Sequence, residues 1–256
     1  PLGVTAGSSA LKAFLTTIPE DKHYFRPRKE VEDYIRLCYY GGLVLPGKRV
    51  GNWGETACVD VNGAYAYQML THKYPVRCPA QTVQFHEDHV GFYHVLATVP
   101  VHLFKDLGFN PVPRRTKLGL DWPSGQFDTY LTTPEIQYAR EKGCEFTVLS
   151  GYVFFNEEYV FQPFIEKCQE MELVDGGKYK PTIKQNRNSC YGRFGMKAEH
   201  KTVVFSKETL TNQPYIPLTD VRNGHIIPGI YTGTETGDDA CMLPHWAALI
   251  CAYERL

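Results

Sequence analysis

Phe161, Phe164, Ile165, Cys168 and Met171 recur at i, i+3, i+4, i+7 and i+10, the period of a helix with one buried face, and Pro163 marks its start. Val174-Asp-Gly-Gly then turns the chain back into a second helix entered at Pro181. Lys29 to Cys38 has helical spacing, and Thr132 to Lys142 reads as a helix that opens on Thr-x-Pro-Glu and stops at Gly143. Gly91 to Val101 and Phe146 to Phe155 alternate and are rich in β-formers, which predicts strands. The short apolar run Ala57-Cys58-Val59 reads as a buried strand ending in Asp60, with the Gly91 strand beside it. Between Phe104 and Tyr130 prolines, glycines and basic residues predict an insertion with strand-like ends. Thr202-Val-Val-Phe and Tyr215-Ile-Pro-Leu predict the arms of a β-hairpin, and Gly233 to Asp239 a loop.

The densest chemistry lies on the second of the paired helices, in Lys184-Gln-Asn-Arg-Asn188-Ser189-Cys-Tyr191-Gly192. Positions 184, 188, 191 and 192 share one face, which offers an ammonium to phosphate, an amide to a base edge and a ring for stacking. Upstream, Asp60-Val61-Asn62-Gly63-Ala64-Tyr65-Ala66 puts a carboxylate before a turn whose backbone N–H groups can face phosphates. Tyr39-Tyr40-Gly41-Gly42 sits roughly twenty residues before Asp60; paired glycines allow close backbone approach, and an aromatic beside them can stack on a base.

Lys-x-x-x-Asn-Ser-x-Tyr-Gly resembles motif B of the family B DNA polymerases. Five fixed positions recur by chance on the order of once in ten thousand chains of this length. The segment from Asp60 resembles motif A, Asp-x-x-Ser-Leu-Tyr-Pro, with Gly63, Ala64 and Ala66 as departures that loosen the turn and remove one hydroxyl. Tyr39 to Gly42 resembles the Tyr-x-Gly-Gly loop of the protein-primed branch. The third family motif, Tyr-x-Asp-Thr-Asp-Ser, does not occur in these residues; Met242 to Arg255 resembles the palm helix that precedes it, and no segment of these residues reads as the family's proofreading domain.

The resemblance implies an α+β fold: a palm, with an antiparallel sheet and helices on one face, carrying a two-helix fingers insertion and β-rich insertions. Its implied segments are a lead-in and loop over 1–58, palm over 59–157 with an insertion near 104–130, fingers over 158–195, a β-hairpin insertion over 196–240 and the start of the palm helix over 241–256. It implies nucleotidyl transfer with two Mg2+ or Mn2+ ions. Asp60 and the Val61 carbonyl would ligate metal, Lys184 would act in catalysis, and residues 61 to 65, Lys184, Asn188 and Tyr191 would hold the nucleotide. Tyr39, Tyr40, Gly41, Gly42, Ser189, Gly192 and Arg193 would meet DNA. The implied partners are primer-template DNA and deoxynucleoside triphosphates, with room for a terminal protein primer and for a second chain carrying the missing motif. Since one of two metal-bridging carboxylates is present, the chain by itself is expected to be inactive. Two other readings stay open: a non-catalytic remnant that grips primer-template or protein, and a nuclease-like or primase-like metal enzyme using Asp60 with Asp238 or Asp239.

Composition changes this picture little. The chain has 256 residues, 43% hydrophobic, enough for a sizeable core, and a formal charge of −1, which is not the strongly basic footprint usual for nucleic-acid proteins. Its basic residues are clustered instead, at Lys22 to Lys29, Arg114 to Lys117, Lys178 to Arg193 and Lys197 to Lys207. Eight scattered cysteines without a Cys-x-x-Cys pair predict buried thiols in a reducing, intracellular compartment, and no stretch reads as a signal peptide or membrane span. His86-x-x-His89 lacks a further ligand at useful spacing for a metal.

Overall fold

The structure, a computed structural model, describes residues 5–42, 54, 55, 57, 59–196, 199–206, 215–219, 225–236 and 243–256. It has two compact units, Pro1–Gly195 with Leu243–Leu256, and Met196–Met242.

In the first unit α1 (Ala6–Leu15), α2 (Lys29–Leu37) and α3 (Ala64–Thr71) precede β1 (Tyr74–Pro75), β2 (Ala80–Thr82) and β3 (Val90–Val99). There follow α4 (Leu103–Leu107), β4 (Arg114–Thr116), β5 (Gly119–Asp121), β6 (Gly125–Thr132), α5 (Thr133–Glu141), β7 (Glu145–Phe154) and β8 (Glu157–Glu158). Then come α6 (Gln162–Leu173), a 3-10 turn over Val174–Gly177, and α7 (Lys180–Gly195). The second unit holds β9 (Glu199–Phe205), β10 (Tyr215–Thr219) and β11 (Ile226–Thr236), after which α8 (Pro244–Arg255) rejoins the first.

Strands β2-β7-β3-β6 form an antiparallel sheet in that order. Side chains alternate along β3 as the pleat requires. Tyr93, Val95, Ala97 and Val99 pack with Leu131, Ile136 and Ala139, under α5. Val90 and Phe92 enter a second core built from α1, α6, α7 and α8. Trp246 of α8 is fully buried there, its ring within 6.0 Å of those of Phe14, Tyr24, Phe161 and Phe194, and its indole N–H donates to the Pro75 carbonyl at 2.7 Å. Residues 244–252 of α8 are buried on every side, so this helix is the spine on which sheet and helices meet.

The 3-10 turn reverses the chain because Asp175 takes a left-handed φ of 51° and Gly176 and Gly177 follow at 66° and 85°. Thr132 and Glu135 form the capping box that starts α5: the Thr132 N–H and hydroxyl donate to Glu135 Oε2 at 2.9 and 2.7 Å.

Several expectations are corrected. Ala57 and Val59 form no strand: Val59 is 91% exposed, and no described strand pairs with this segment, without which so short a run has no hydrogen bonds to hold it. The neighbours of β3 are β6 and β7. Residues 125–130, read as part of an insertion, belong to β6 and contribute Phe127 to the core; the excursion proper is α4 and the β4–β5 hairpin. In the second unit β9 and β10 do not pair with each other. Both pair antiparallel with β11, which lies between them and extends through Gly233 to Thr236, read from sequence as loop. Asp238 and Asp239 lie outside the described residues. Of the described cysteines Cys38, Cys144, Cys168, Cys190 and Cys251 are buried and Cys78 is exposed; none is in a disulfide. No described helix is long and apolar enough to cross a membrane.

Candidate nucleotide and nucleic-acid site

The turn after Asp60 and the helix carrying Lys184 come together in the first unit. Gly63 is the N-cap of α3 with φ 67° and ψ 37°, a conformation that costs a residue with a Cβ about 1–2 kcal/mol. A Cβ there would also stand 3.3 Å from Arg187 Nη2. That turn exposes Asp60, Val61 and Asn62 just before the start of α3, and a helix start favours anions.

On α7, Lys184, Asn188 and Tyr191 lie at i, i+4 and i+7. Lys184 Nζ reaches Asn62 Oδ1 at 3.4 Å. Tyr191 stacks on Tyr65, with ring centroids 4.1 Å apart and planes 14° from parallel. Burial and then the Tyr65 neighbour hold the Tyr191 phenol well above its ordinary range, so it stays a neutral hydroxyl. Asn188 Oδ1 is buried with no hydrogen-bond partner, an orphaned acceptor of the kind a bound donor relieves. Ser189, expected to meet DNA, donates instead to the Gln185 carbonyl at 2.8 Å, its own helix backbone. Gly192 is exposed, with nothing within 4 Å of a Cβ built there, and Arg193 is half-buried one position further on.

The Tyr39 to Gly42 loop is placed differently from expectation. Tyr40 is 1% exposed; its hydroxyl lies 3.2 Å from Thr129 Oγ1, and the guanidiniums of Arg115 and Arg255 stand over its ring at 5.2 and 5.7 Å. It cannot stack on a base in this arrangement, because the pocket that holds it is part of the core under β6. Tyr39 is half-buried against Gly195, where a Cβ would stand 2.7 Å from its ring, so a larger residue there would have to displace the Tyr39 ring. Gly41 and Gly42 are exposed, and Arg115 and Arg255 donate to the carbonyls of Tyr39 and Tyr40 at 2.9 and 2.6 Å. Arg255 also pairs with the buried Glu135, which ties α8, α5 and this loop together. Sequence reasoning missed that network, since nothing in the spacing of residues 40, 115, 135 and 255 signals it.

Beside the loop is an open groove of about 470 Å³ lined by Tyr40, Arg115, Lys117, Asp128 and Tyr130, among others. Other members of the basic clusters are neutralised: Lys22 pairs with Glu158, Lys29 with Asp33, and Arg114 with Asp121.

Asp60 and the Val61 carbonyl are oxygen donors of the kind a hard divalent cation takes, but six such donors are the usual minimum. Among the described residues no group of three His, Cys, Asp or Glu side chains converges on a metal position. His86 and His89 flank Phe155, His86 bonding to Thr82 and His89 Nδ1 standing 4.0 Å from Glu157, and among the described residues they join no group of three metal-ligating side chains.

An antiparallel sheet with α5 against one side and the core of α1, α6, α7 and α8 meeting Val90 and Phe92, together with a separate three-stranded unit, makes an α+β fold. The fold is shared with Phi29 DNA polymerase solved with primer-template DNA and incoming nucleotide: TM-score 0.72, 22% identity, covering 99% of this chain and 44% of that one. The same enzyme with primer-template DNA alone gives 0.71 at 21% identity. Residues 3–244 match the family of type B DNA polymerases, organellar and viral, and the chain belongs to that family. A probable DNA polymerase of Neurospora intermedia is 26% identical over 250 residues, and one of Podospora anserina 26% identical over 179. The chain spans 25% and 14% of the length of those two relatives.

Proposed function

We propose that this chain carries the nucleotide-binding part of a template-directed DNA polymerase that replicates a viral, plasmid or organellar genome. The observation that supports this reading best is the meeting of two separate sequence motifs: Tyr65 stacked on Tyr191 and Lys184 against Asn62. Lys184 neutralises phosphate charge, the start of α3 offers its N–H groups to the same phosphates, and the paired rings form an apolar floor for the sugar. The buried Asn188 oxygen waits for a donor from the nucleotide or template. Asp60 and the Val61 carbonyl would hold Mg2+ or Mn2+, which when bound offsets the charge that develops during nucleotidyl transfer. Primer-template DNA would follow the groove beside Arg115 and Lys117, with exposed Gly41 and Gly42 allowing close approach. Protein priming, supported by the Tyr-x-Gly-Gly resemblance, belongs to the same reading.

The test is single-nucleotide incorporation on primed DNA by the full-length gene product. Folded Asp60→Asn should lose incorporation by about a thousandfold or more, as expected when a metal ligand is removed. Wild-type rates in that variant would refute the assignment.

A further inference from the structure

Arg187 has no part in the motif that surrounds it, yet it occupies the space next to the motif A turn. Its Nη2 lies beside Gly63, 3.3 Å from where a Cβ would stand, while its Nη1 pairs with Glu172 of α6 at 2.9 Å. The side chain is 11% exposed, and its Nε is buried without a hydrogen-bond partner. Gly63 is the position at which the resembling motif carries serine, so one hydroxyl donor is missing from this turn and a guanidinium edge stands in its place.

We propose that Arg187 is a second phosphate-binding cation of the nucleotide site, acting with Lys184 and taking over the donor role of the absent hydroxyl at position 63. The proposal rests on the nucleotide-site reading above. Glu172 pairs with Nη1 by charge, its Oε1 otherwise without a hydrogen-bond partner, and Nη2 lies beside the turn over which a triphosphate would lie. A guanidinium suits this better than an ammonium, since one planar group serves a carboxylate on one side and a phosphate on the other. Gly63 is then favoured by its left-handed φ, and a Cβ there would press on Arg187 Nη2 at 3.3 Å.

The alternative is an ion pair that only joins α6 to α7, and the two members of the pair separate the cases. In the full-length protein the apparent nucleotide Kd is measured by pre-steady-state incorporation on primed DNA. Inorganic tripolyphosphate serves as a competitor that lacks base and sugar, and thermal melting checks the fold. Arg187→Gln should raise the nucleotide Kd and the tripolyphosphate inhibition constant about tenfold, equally for all four bases, as loss of one charge-assisted bond implies. Arg187→Lys should fall between, and Glu172→Gln, which keeps the shape of the acceptor but removes its charge, should bind both at least as tightly as wild type. Equal weakening by Arg187→Gln and Glu172→Gln would overturn the proposal in favour of a structural pair. A normal tripolyphosphate constant in folded Arg187→Gln, with Lys184→Met weakened, would overturn it alone, whereas no effect from Lys184→Met would overturn the nucleotide site itself.

Discussion

The ring of Tyr65, at the start of α3, lies face to face with that of Tyr191 on α7, 4.1 Å between centroids. Residues 126 positions apart thereby fix the distance between the turn that bears Asp60 and the helix that bears Lys184. An offset aromatic pair contributes about 0.5–1.5 kcal/mol beyond the area it buries, enough to favour one closed geometry over several loose ones.

Tyr65→Val removes one ring of the pair and the bulk under the sugar. In the full-length protein it should narrow the preference for deoxynucleotides over ribonucleotides, whereas Asp60→Asn should stop incorporation of both. The ratio of single-nucleotide incorporation efficiencies for the two sugars is the readout. An unchanged ratio in folded Tyr65→Val would remove this residue from the site.

His245 predicts an acid sensitivity. It is completely buried, its ring stacked 5.6 Å from Phe154 and its Nδ1 without a partner. Burial brings its pKa down from 6.5 to about 3, offset in part by the Pro75 backbone. The unfolded chain therefore takes up a proton that the folded one refuses between those values, so stability is complete above about pH 6.5 and declines below it. The loss is about 1.4 kcal/mol per pH unit, or roughly 2 kcal/mol at pH 5. Urea unfolding at pH 7.5 and 5.0 should show it, and folded His245→Leu should show markedly less of it. Equal slopes in the two proteins would exclude His245 as the cause.

Arg255 and Glu135 form a buried pair with 7% and 3% side-chain exposure. Arg255→Met leaves the carboxylate buried without its cation and should destabilise the fold by about 3–5 kcal/mol. It also releases the Tyr40 carbonyl and uncovers the Tyr40 ring. Chemical denaturation measures the loss; a change below about 1 kcal/mol would mean that the pair is a surface contact in solution.

Much of this fold is legible in the sequence because helical periods are long and redundant. Phe164, Ile165 and Cys168 on α6 and the Thr132–Glu135 box of α5 each carry several agreeing signals. Strand β11 is not legible, since Pro228, Gly229 and Gly233 interrupt it and its pairing with β9 and β10 is a tertiary fact. Tyr40 shows the limit at the site. Its neighbours in sequence suggest an exposed stacking ring, but Arg115 and Arg255, from distant segments, enclose it. Arg187 is illegible in the sequence for the opposite reason. Lys184 and Asn188 belong to a recognisable pattern, while the importance of position 187 depends on Gly63 and Glu172, which only the fold brings near.

If the groove beside Arg115 and Lys117 takes DNA, the chain should bind primer-template with an affinity that falls as salt rises, and Arg115→Gln with Lys117→Gln should flatten that slope by about one to two. Fluorescence anisotropy over a salt series measures it. A slope unchanged by the double substitution would place the duplex elsewhere.

In the proposed function the Asp60 turn and the Lys184 helix form one nucleotide site. Its most direct test is the apparent Kd for each of the four deoxynucleoside triphosphates, by pre-steady-state incorporation in full-length wild type and folded Lys184→Met. The expected result is a rise of about tenfold or more for all four, with primer-template affinity unchanged, because the lost contact is to phosphate and not to base or duplex. Unaltered nucleotide Kd values in the variant would contradict the account.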